Sequence, residues 1–327
     1  MADIPQSSPH DNPPPPGDAI GHAPVLLDET LALLAPQPGQ TLMDVTLGRG
    51  GHAAAILPRI AGGRLIGLDT DPANADFARS RLEPIAAEHG VALDVIHINF
   101  AGVARVLQDL SLAGVDGLLA DLGFASNQMD DPQRGFAFRF DGPLDMRLDP
   151  TRGQPASHLV NTLTETALAD LIYTLGEDRA SRRIAKKIIE RRSISPILTT
   201  DDLARTVRAA QPHSAPGRRG PSSRGGSHGI DPATRTFMAL RIAVNGELDA
   251  LDTLLATLPK LLNPNGIAAM ISFHSLEDRR VKQAFLKFQQ DDWAQRLTRK
   301  PITAAPAELA NNPRSRSAKL RGLQKKP

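Results

Sequence analysis

Apolar and polar positions along this chain follow two rhythms, and the changes of rhythm mark its elements. Short, largely apolar runs at 42–47, 64–68, 93–98, 115–120 and 267–273 are bounded by Gly, Asp, Asn or His. Runs of this length read as strands covered on both faces. Between them apolar residues recur at helical spacing: Leu27, Leu31 and Leu34, then 52–60, then Val103, Val106, Leu107 and Leu110. Asp71-Pro72 opens a further helix, with Asp as N-cap and Pro at the first position. Four strand–helix units in succession predict an α/β fold with a parallel, doubly wound sheet.

The alternation then lapses for about a hundred residues. Positions 131–149 are turn-rich and polar, whereas 164–175, 178–192 and 199–210 predict helices. In the second of these, Ala180, Ile184 and Ile188 form one stripe, and seven Lys/Arg stand against three Asp/Glu between Gly176 and Arg192. The stretch 211–229 reads as a mobile Gly/Pro/Ser/Arg linker. Asp231-Pro232 restarts a helix whose spacing, from Phe237 through Leu240, Val244, Leu248 and Leu251 to Leu258, predicts one continuous rod to Pro259. A turn at Asn263-Pro264-Asn265-Gly266 feeds the fifth strand. The expected division is a Pro-rich disordered tail at 1–20, a discontinuous sheet domain at 21–134 and 230–300, an inserted helical domain at 135–229, and a basic C-terminal tail at 301–327.

Composition narrows the function classes. The 327 residues include no cysteine, which excludes disulfides and thiolate metal sites. Aromatics make up only 4%, too few for broad base-stacking platforms, and the net charge of +2 decides little. Its distribution matters more: thirteen Lys/Arg against three Asp/Glu follow from Arg279 onward, the signature of a polyanion-binding surface or of a solvated tail. With no long apolar run and no signal-like N-terminus, a cytoplasmic protein without membrane contact is expected.

The candidate chemistry lies where strands end. Gly48-x-Gly50-x-x-Ala53 follows the first strand and opens a helix, a loose nucleotide-binding pattern. Asp69, nineteen residues after Gly50 at the end of the second strand, is placed to accept hydrogen bonds from ribose hydroxyls. Ligands in open parallel sheets sit outside the carboxyl ends of the strands. That rule adds Asn99-Phe100, Asp121 and 273–278. His22, His52 and His274 show no metal-like spacing, and no metal site is expected. At this level three readings stand: an NAD(P)-dependent oxidoreductase, an S-adenosylmethionine methyltransferase with a substrate-gripping insertion, and a catalytically inactive ribosome-binding protein.

Longer motifs carry a resemblance. Gly21-His22-Ala23-Pro24-Val25-Leu26-Leu27-Asp28-Glu29, Gly48-Arg49-Gly50-Gly51-His52, Gly135-Phe136, Asp141-Gly142-Pro143-Leu144-Asp145-Met146-Arg147, Pro232-Ala233-Thr234-Arg235-Thr236-Phe237 and Ser272-Phe273-His274-Ser275-Leu276-Glu277-Asp278-Arg279 resemble the bacterial RsmH (MraW) family of 16S rRNA cytosine-N4 methyltransferases. The resemblance implies a class I, Rossmann-like methyltransferase fold with an inserted helical domain. It implies S-adenosylmethionine as donor and a cytidine of the decoding region, in the small ribosomal subunit, as target. Carried over by position, the cofactor contacts are Gly50, Gly51, His52, Asp69, Phe100, Asp121 and Gln128. Asp121 is also the candidate acceptor for the N4 hydrogens. Asp145, Arg147, His274 and Ser275, with Arg182, Arg183, Lys186 and Lys187 of the basic helix, are candidate substrate contacts. One departure stands out. The family usually has a small apolar residue and Ser-Ser-Pro-Gln-Leu after Asp-Leu-Gly, and here the chain reads Phe124-Ala125-Ser126-Asn127-Gln128-Met129.

Overall fold

The computed structural model describes residues 24–210 and 231–327, so the calls on the N-terminal tail, His22 and the 211–229 linker lie outside the described residues. Strands β1 (Thr41–Asp44), β2 (Arg64–Asp69), β3 (Ala92–His97), β4 (Val115–Asp121), β5 (Leu262–Ser272), β6 (Ala294–Arg296) and β7 (Lys319–Lys325) form one sheet. Their order is β3-β2-β1-β4-β5-β7-β6. The first five run parallel, and β7 lies antiparallel between β5 and β6.

Successive residues of each strand face opposite layers. Met43, Ile66, Leu118 and Met270 pack on one side, against α4 (Val103–Asp109), α11 (Glu247–Leu261) and α12 (Ser275–Gln290). Leu42, Leu65, Leu119 and Ile271 pack on the other, against α1 (Leu27–Leu34), α2 (Gly51–Ile56) and α3 (Pro72–Glu88). Helices cover both faces along β1, β2, β4 and β5, as their largely apolar runs require, while the edge strand β3 stays partly exposed. This arrangement is the class I, Rossmann-like methyltransferase fold.

The segment after β4 builds a third core. It begins with the short α5 (Ser126–Asp130) and continues through α6 (Ala156–Thr162), α7 (Glu165–Gly176), α8 (Ser181–Arg192) and α9 (Thr200–Ala209). Val160, Ile172, Ile184, Ile188, Leu203 and Val207 are sealed there by Ala233, Phe237 and Leu240 of α10 (Ala233–Asn245). The rod expected from Pro232 to Pro259 is therefore two helices. Gly246, at φ 58°, stops α10 and starts α11, so the first packs on the inserted layer and the second on the sheet. Helical periodicity carries straight through such a joint, because a glycine in the left-handed region changes direction without changing spacing.

The basic C-terminal tail is a correction. After α13 (Pro306–Asn311) the chain enters the sheet as β7, pairing six residues of β5 from Ile267↔Gln324 to Ser272↔Lys319. Leu320 and Leu323 alternate between the two cores, and Gly322 gives room to Leu33, whose side chain would lie 2.7 Å from an added Cβ. Buried Arg321 is neutralised by Asp278 at 2.7 Å, with Lys319 on the same carboxylate at 3.3 Å. Charge count concealed a strand whose basic residues are partly structural.

Candidate active site at the carboxyl ends of the strands

The turn after β1 is shaped by two different demands for glycine. Gly48 and Gly50 adopt φ 53° and 77°, which side chains disfavour. Gly51 has ordinary φ but carries Pro24 against it: an added Cβ would lie 2.8 Å from the proline Cγ. Thus Pro24 lies over the turn, and α1 starts three residues later at Leu27.

Strand ends then supply a row of acids. Asp69 accepts from Gly48 N at 2.6 Å and Asp71 N at 2.7 Å, with the Asn74 side chain also on its carboxylate, which leaves capacity for a further donor. Burial pushes its carboxyl up to about 6, partly offset by those two N–H donors. Asp44, at the end of β1, is 2% exposed and is likewise pushed up to about 6, by burial foremost, against the lowering effect of His52 and Thr46 N. Thr46 links the strands by donating to Asp44 Oδ1 while accepting from Asp121 N at 2.6 Å. Asp121 ends β4 with its Oδ1 buried and without a hydrogen-bond partner among the described residues.

Asp44 gives a pH-dependent stability. The folded protein holds this proton more tightly than the unfolded chain, so the associated stability is present at low pH and lost as pH rises from about 4 to about 6. Asp44→Asn is therefore expected to stabilise by about 2–3 kcal/mol at pH 8 and to be near neutral at pH 4, at 1.36 kcal/mol per pKa unit. Calorimetric melting at both pH values checks the sign.

Other expected contacts fall in different environments. Phe100, in the turn after β3, is half-buried against the core. His52 is 6% exposed, with both ring nitrogens enclosed, so its imidazole lies beneath the crevice and not along its edge. Gln128 is 2% exposed, and both ends of its amide are taken: Nε2 donates to Asp71 Oδ2 at 2.7 Å and Oε1 accepts from Ala125 N at 2.8 Å. The same Asp71 oxygen accepts from Arg134 at 2.6 Å, and Arg134 also donates to Arg147 O and Leu148 O. A buried carboxylate thus ties the start of α3 to the loops at 125–134 and 147–148.

The expected substrate contacts divide. Asp145 and Arg147 form a two-pronged pair at 2.8 and 2.7 Å and satisfy one another. His274 caps α12, accepting from Glu277 N at 3.4 Å, and Ser275 Oγ bonds to Glu177 of the inserted layer. Burial would raise the Glu277 carboxyl, but His274, Arg241 and Phe273 N hold it below its usual range. Glu247, His274 and Glu277 bring ligand-type atoms within 4.8 Å of one another. Arg241, on Glu247 at 2.8 and 2.9 Å, already supplies positive charge there. The seven basic residues from Arg179 to Arg192, six of them on α8, are not equivalent: Arg191 clamps Asp202 at 2.7 Å, Arg192 donates to Val160 O, and Arg182 and Lys187 pair with Asp170 and Glu190. Arg179, Arg183 and Lys186 are exposed and without an ion pair among the described residues.

Phe124, the departure in the loop after β4, stacks on Phe136 at 5.3 Å and carries the Arg241 guanidinium 4.7 Å above its ring. Sequence reasoning missed Asp44, Thr46 and Arg134. Asp44 was visible as an acid directly after an apolar run; Arg134 had no local signal.

A Rossmann-like sheet of this order, with a glycine turn, an acid at the end of β2 and an acid at the end of β4, defines a class I methyltransferase. The chain belongs to the MraW methylase family, whose model matches residues 19–326. It is 47% identical over 315 residues to the Ribosomal RNA small subunit methyltransferase H of Sorangium cellulosum, covering 96% of this chain and 94% of that one. The proteins of the same name from Synechococcus sp. (strain CC9311) and Acidobacterium capsulatum are 46% and 45% identical, covering 97% and 93% of this chain and 97% and 98% of theirs. The family read from the motifs is borne out, and the oxidoreductase alternative is set aside. No helix among the described residues is long and apolar enough to cross a membrane.

Proposed function

We propose that this protein methylates the exocyclic N4 of a cytidine in the decoding region of 16S rRNA, presented on the small ribosomal subunit in the cytoplasm, with S-adenosylmethionine as donor. The observation that carries this reading is near-full-length similarity at 45–47% to proteins named for small-subunit rRNA methylation. The residues present fit the donor. Asp69 keeps acceptor capacity for ribose hydroxyls, Gly50 and Gly51 let Leu82 and Pro24 pack close against the turn, and Phe100 offers a ring at the next strand end. His52 and Gln128 support this pocket from beneath; their enclosed polar atoms face protein. When bound, the donor supplies an electrophilic methyl on a sulfonium.

The chain's own work is positioning and proton removal. The N4 lone pair is delocalised into the ring, so an acceptor for its hydrogens aids attack. Asp121, at the end of β4 with a quarter of its side chain exposed, is that acceptor. The base must be unpaired or flipped out, because a duplex engages N4. RNA phosphates meet Arg179, just before α8, and Arg183 and Lys186 on it, the cations here without an ion pair among the described residues. Arg183→Ala with Lys186→Ala is expected to flatten the log–log salt dependence of subunit binding by about 2. Arg191→Ala should instead lower stability, because its partner Asp202 is left half-buried. Equal salt slopes for wild type and the double variant would remove α8 from the RNA surface.

The function is tested by methyl transfer from labelled donor into small subunits purified from a strain lacking the endogenous enzyme, with mapping of the modified base. Label at N4 of one decoding-region cytidine is expected. Label elsewhere, or none, overturns the reading.

A further inference from the structure

The floor of the crevice holds a buried histidine. His52 is 6% exposed, and neither Nδ1 nor Nε2 has a hydrogen-bond partner among the described residues. Buried polar atoms are nearly always paired, so an orphaned imidazole needs a reason. Its neighbours supply one. Nε2 lies 3.6 Å from Asp121 Oδ2, just outside hydrogen-bond reach, and Asp121 Oδ1 is itself unpartnered. The buried Asp44 carboxylate of β1 also acts on the ring through its charge, and Glu308 of α13, whose Oε1 accepts from Leu26 N at 2.8 Å, adds another carboxylate. Asp121 of β4 completes the set. Exposure grades outward through this group: Asp44 at 2%, the His52 ring at 6%, Asp121 at 25%.

We propose that His52 is the positioning residue behind Asp121, receiving through it the proton that the target nitrogen sheds, with Asp44 as counter-charge to the resulting imidazolium. This rests on the function proposed above. The step balances without a further reagent. The nitrogen lone pair forms the N–C bond, and the C–S bond breaks with its pair going to sulfur. One N4 proton passes to the Asp121 carboxylate and then to the Nε2 lone pair, returning Asp121 to its charged form. After product release the proton leaves through Asp121, the member of the group open to the crevice.

Burial alone would push the His52 imidazolium down, but the Asp121 and Asp44 carboxylates, with Glu308, lift it above its ordinary value. Those carboxylates thus favour the charged ring once a proton has reached it. Asp121 alone would have to hold the proton beside the newly methylated base, where it opposes the next turnover. A second acceptor behind it, shielded from the crevice, removes that conflict.

Two measurements test the inference. The first follows the His52 imidazole by NMR titration in the free protein. Its midpoint is expected to fall in Asp121→Asn and in Asp44→Asn, each of which removes a neighbouring negative charge; a midpoint unmoved by Asp121→Asn overturns the coupling. The second follows single-turnover methyl transfer with pH. Wild type should lose rate on the acid side, as His52 becomes protonated in advance. His52→Gln should lower the rate by about 100-fold, keep KM for the donor within about threefold, and lose that acid limb. An acid limb retained in His52→Gln overturns the proton role, and a raised KM with unchanged rate makes His52 a donor contact instead. His52→Asn serves as second variant if the glutamine does not fold. Wild type that transfers no methyl to subunits sinks the proposed function, while the NMR arm still reads the Asp121 coupling.

Discussion

Asp121→Asn is expected to lower the methyl-transfer rate by about 10²–10⁴-fold, the span attributed to a positioned proton acceptor. Asparagine preserves the shape of the side chain and the main-chain bond from residue 121 to Thr46 Oγ1, so β4 should keep its place against the glycine turn. What changes is charge. An amide cannot take the N4 proton, and its NH2 group presents hydrogens where an acceptor is required. Single-turnover rates with saturating donor isolate this step from binding. Donor affinity should move far less than the rate, because Asp69 and the glycine turn remain. A variant with wild-type rate would remove Asp121 from the chemistry and, with it, the role of His52. Loss confined to donor affinity would leave Asp121 as a binding residue only.

Arg134→Met is expected to be the most damaging single change to stability. Arg134 reaches the carboxylate of Asp71, 1% exposed, at 2.6 Å, and two main-chain carbonyls besides. Methionine fills similar volume without charge and leaves Asp71 with only Gln128 Nε2 and Ala73 N as donors. Removing one partner of a buried pair costs about 3–5 kcal/mol, because the other charge stays desolvated. For a chain of this size that is a fall in Tm on the order of 10 °C. Donor binding should weaken too, since Asp71 N also donates to Asp69. Asp71→Asn in the Arg134→Met background should recover part of the loss, and the double-mutant cycle gives the coupling directly. A melting temperature within a degree of wild type would mean that the loops are held by something else.

Both predictions concern residues that differ in how openly the chain displays them. Asp121 announces itself: an acid directly after Gly117-Leu118-Leu119-Ala120 reads as a strand end, and strand ends are where such sheets bind. Asp69 and the glycines are legible for the same reason. Arg134 is one arginine in a polar, turn-rich stretch, and its partner is 63 residues away. Local pattern reports which face of an element is apolar. It does not report which distant charge an exposed-looking side chain will meet.

The same distinction separates the basic segments. On α8 the stripe carrying Ile184 and Ile188 is the buried face, yet composition cannot tell Arg191, clamped on Asp202, from Lys186, which meets solvent. The C-terminal segment was misread outright. Lys319-Leu320-Arg321-Gly322-Leu323 is too short and too charged to look like an interior strand. It becomes one because the free edge of β5 offers main-chain partners and Asp278 neutralises Arg321.

The sequence by itself determined the parallel sheet, the crevice at its carboxyl edge, the glycine turn with its acid, and the family, because each depends on short-range periodicity or on residues close in the chain. Tertiary structure alone decided that α10 breaks at Gly246 to close the inserted layer, that β7 completes the sheet, and that His52 turns inward to Asp121 and Asp44. Those outcomes depend on burial and on charges brought together from remote segments. Their energies exist only once the chain has closed around them.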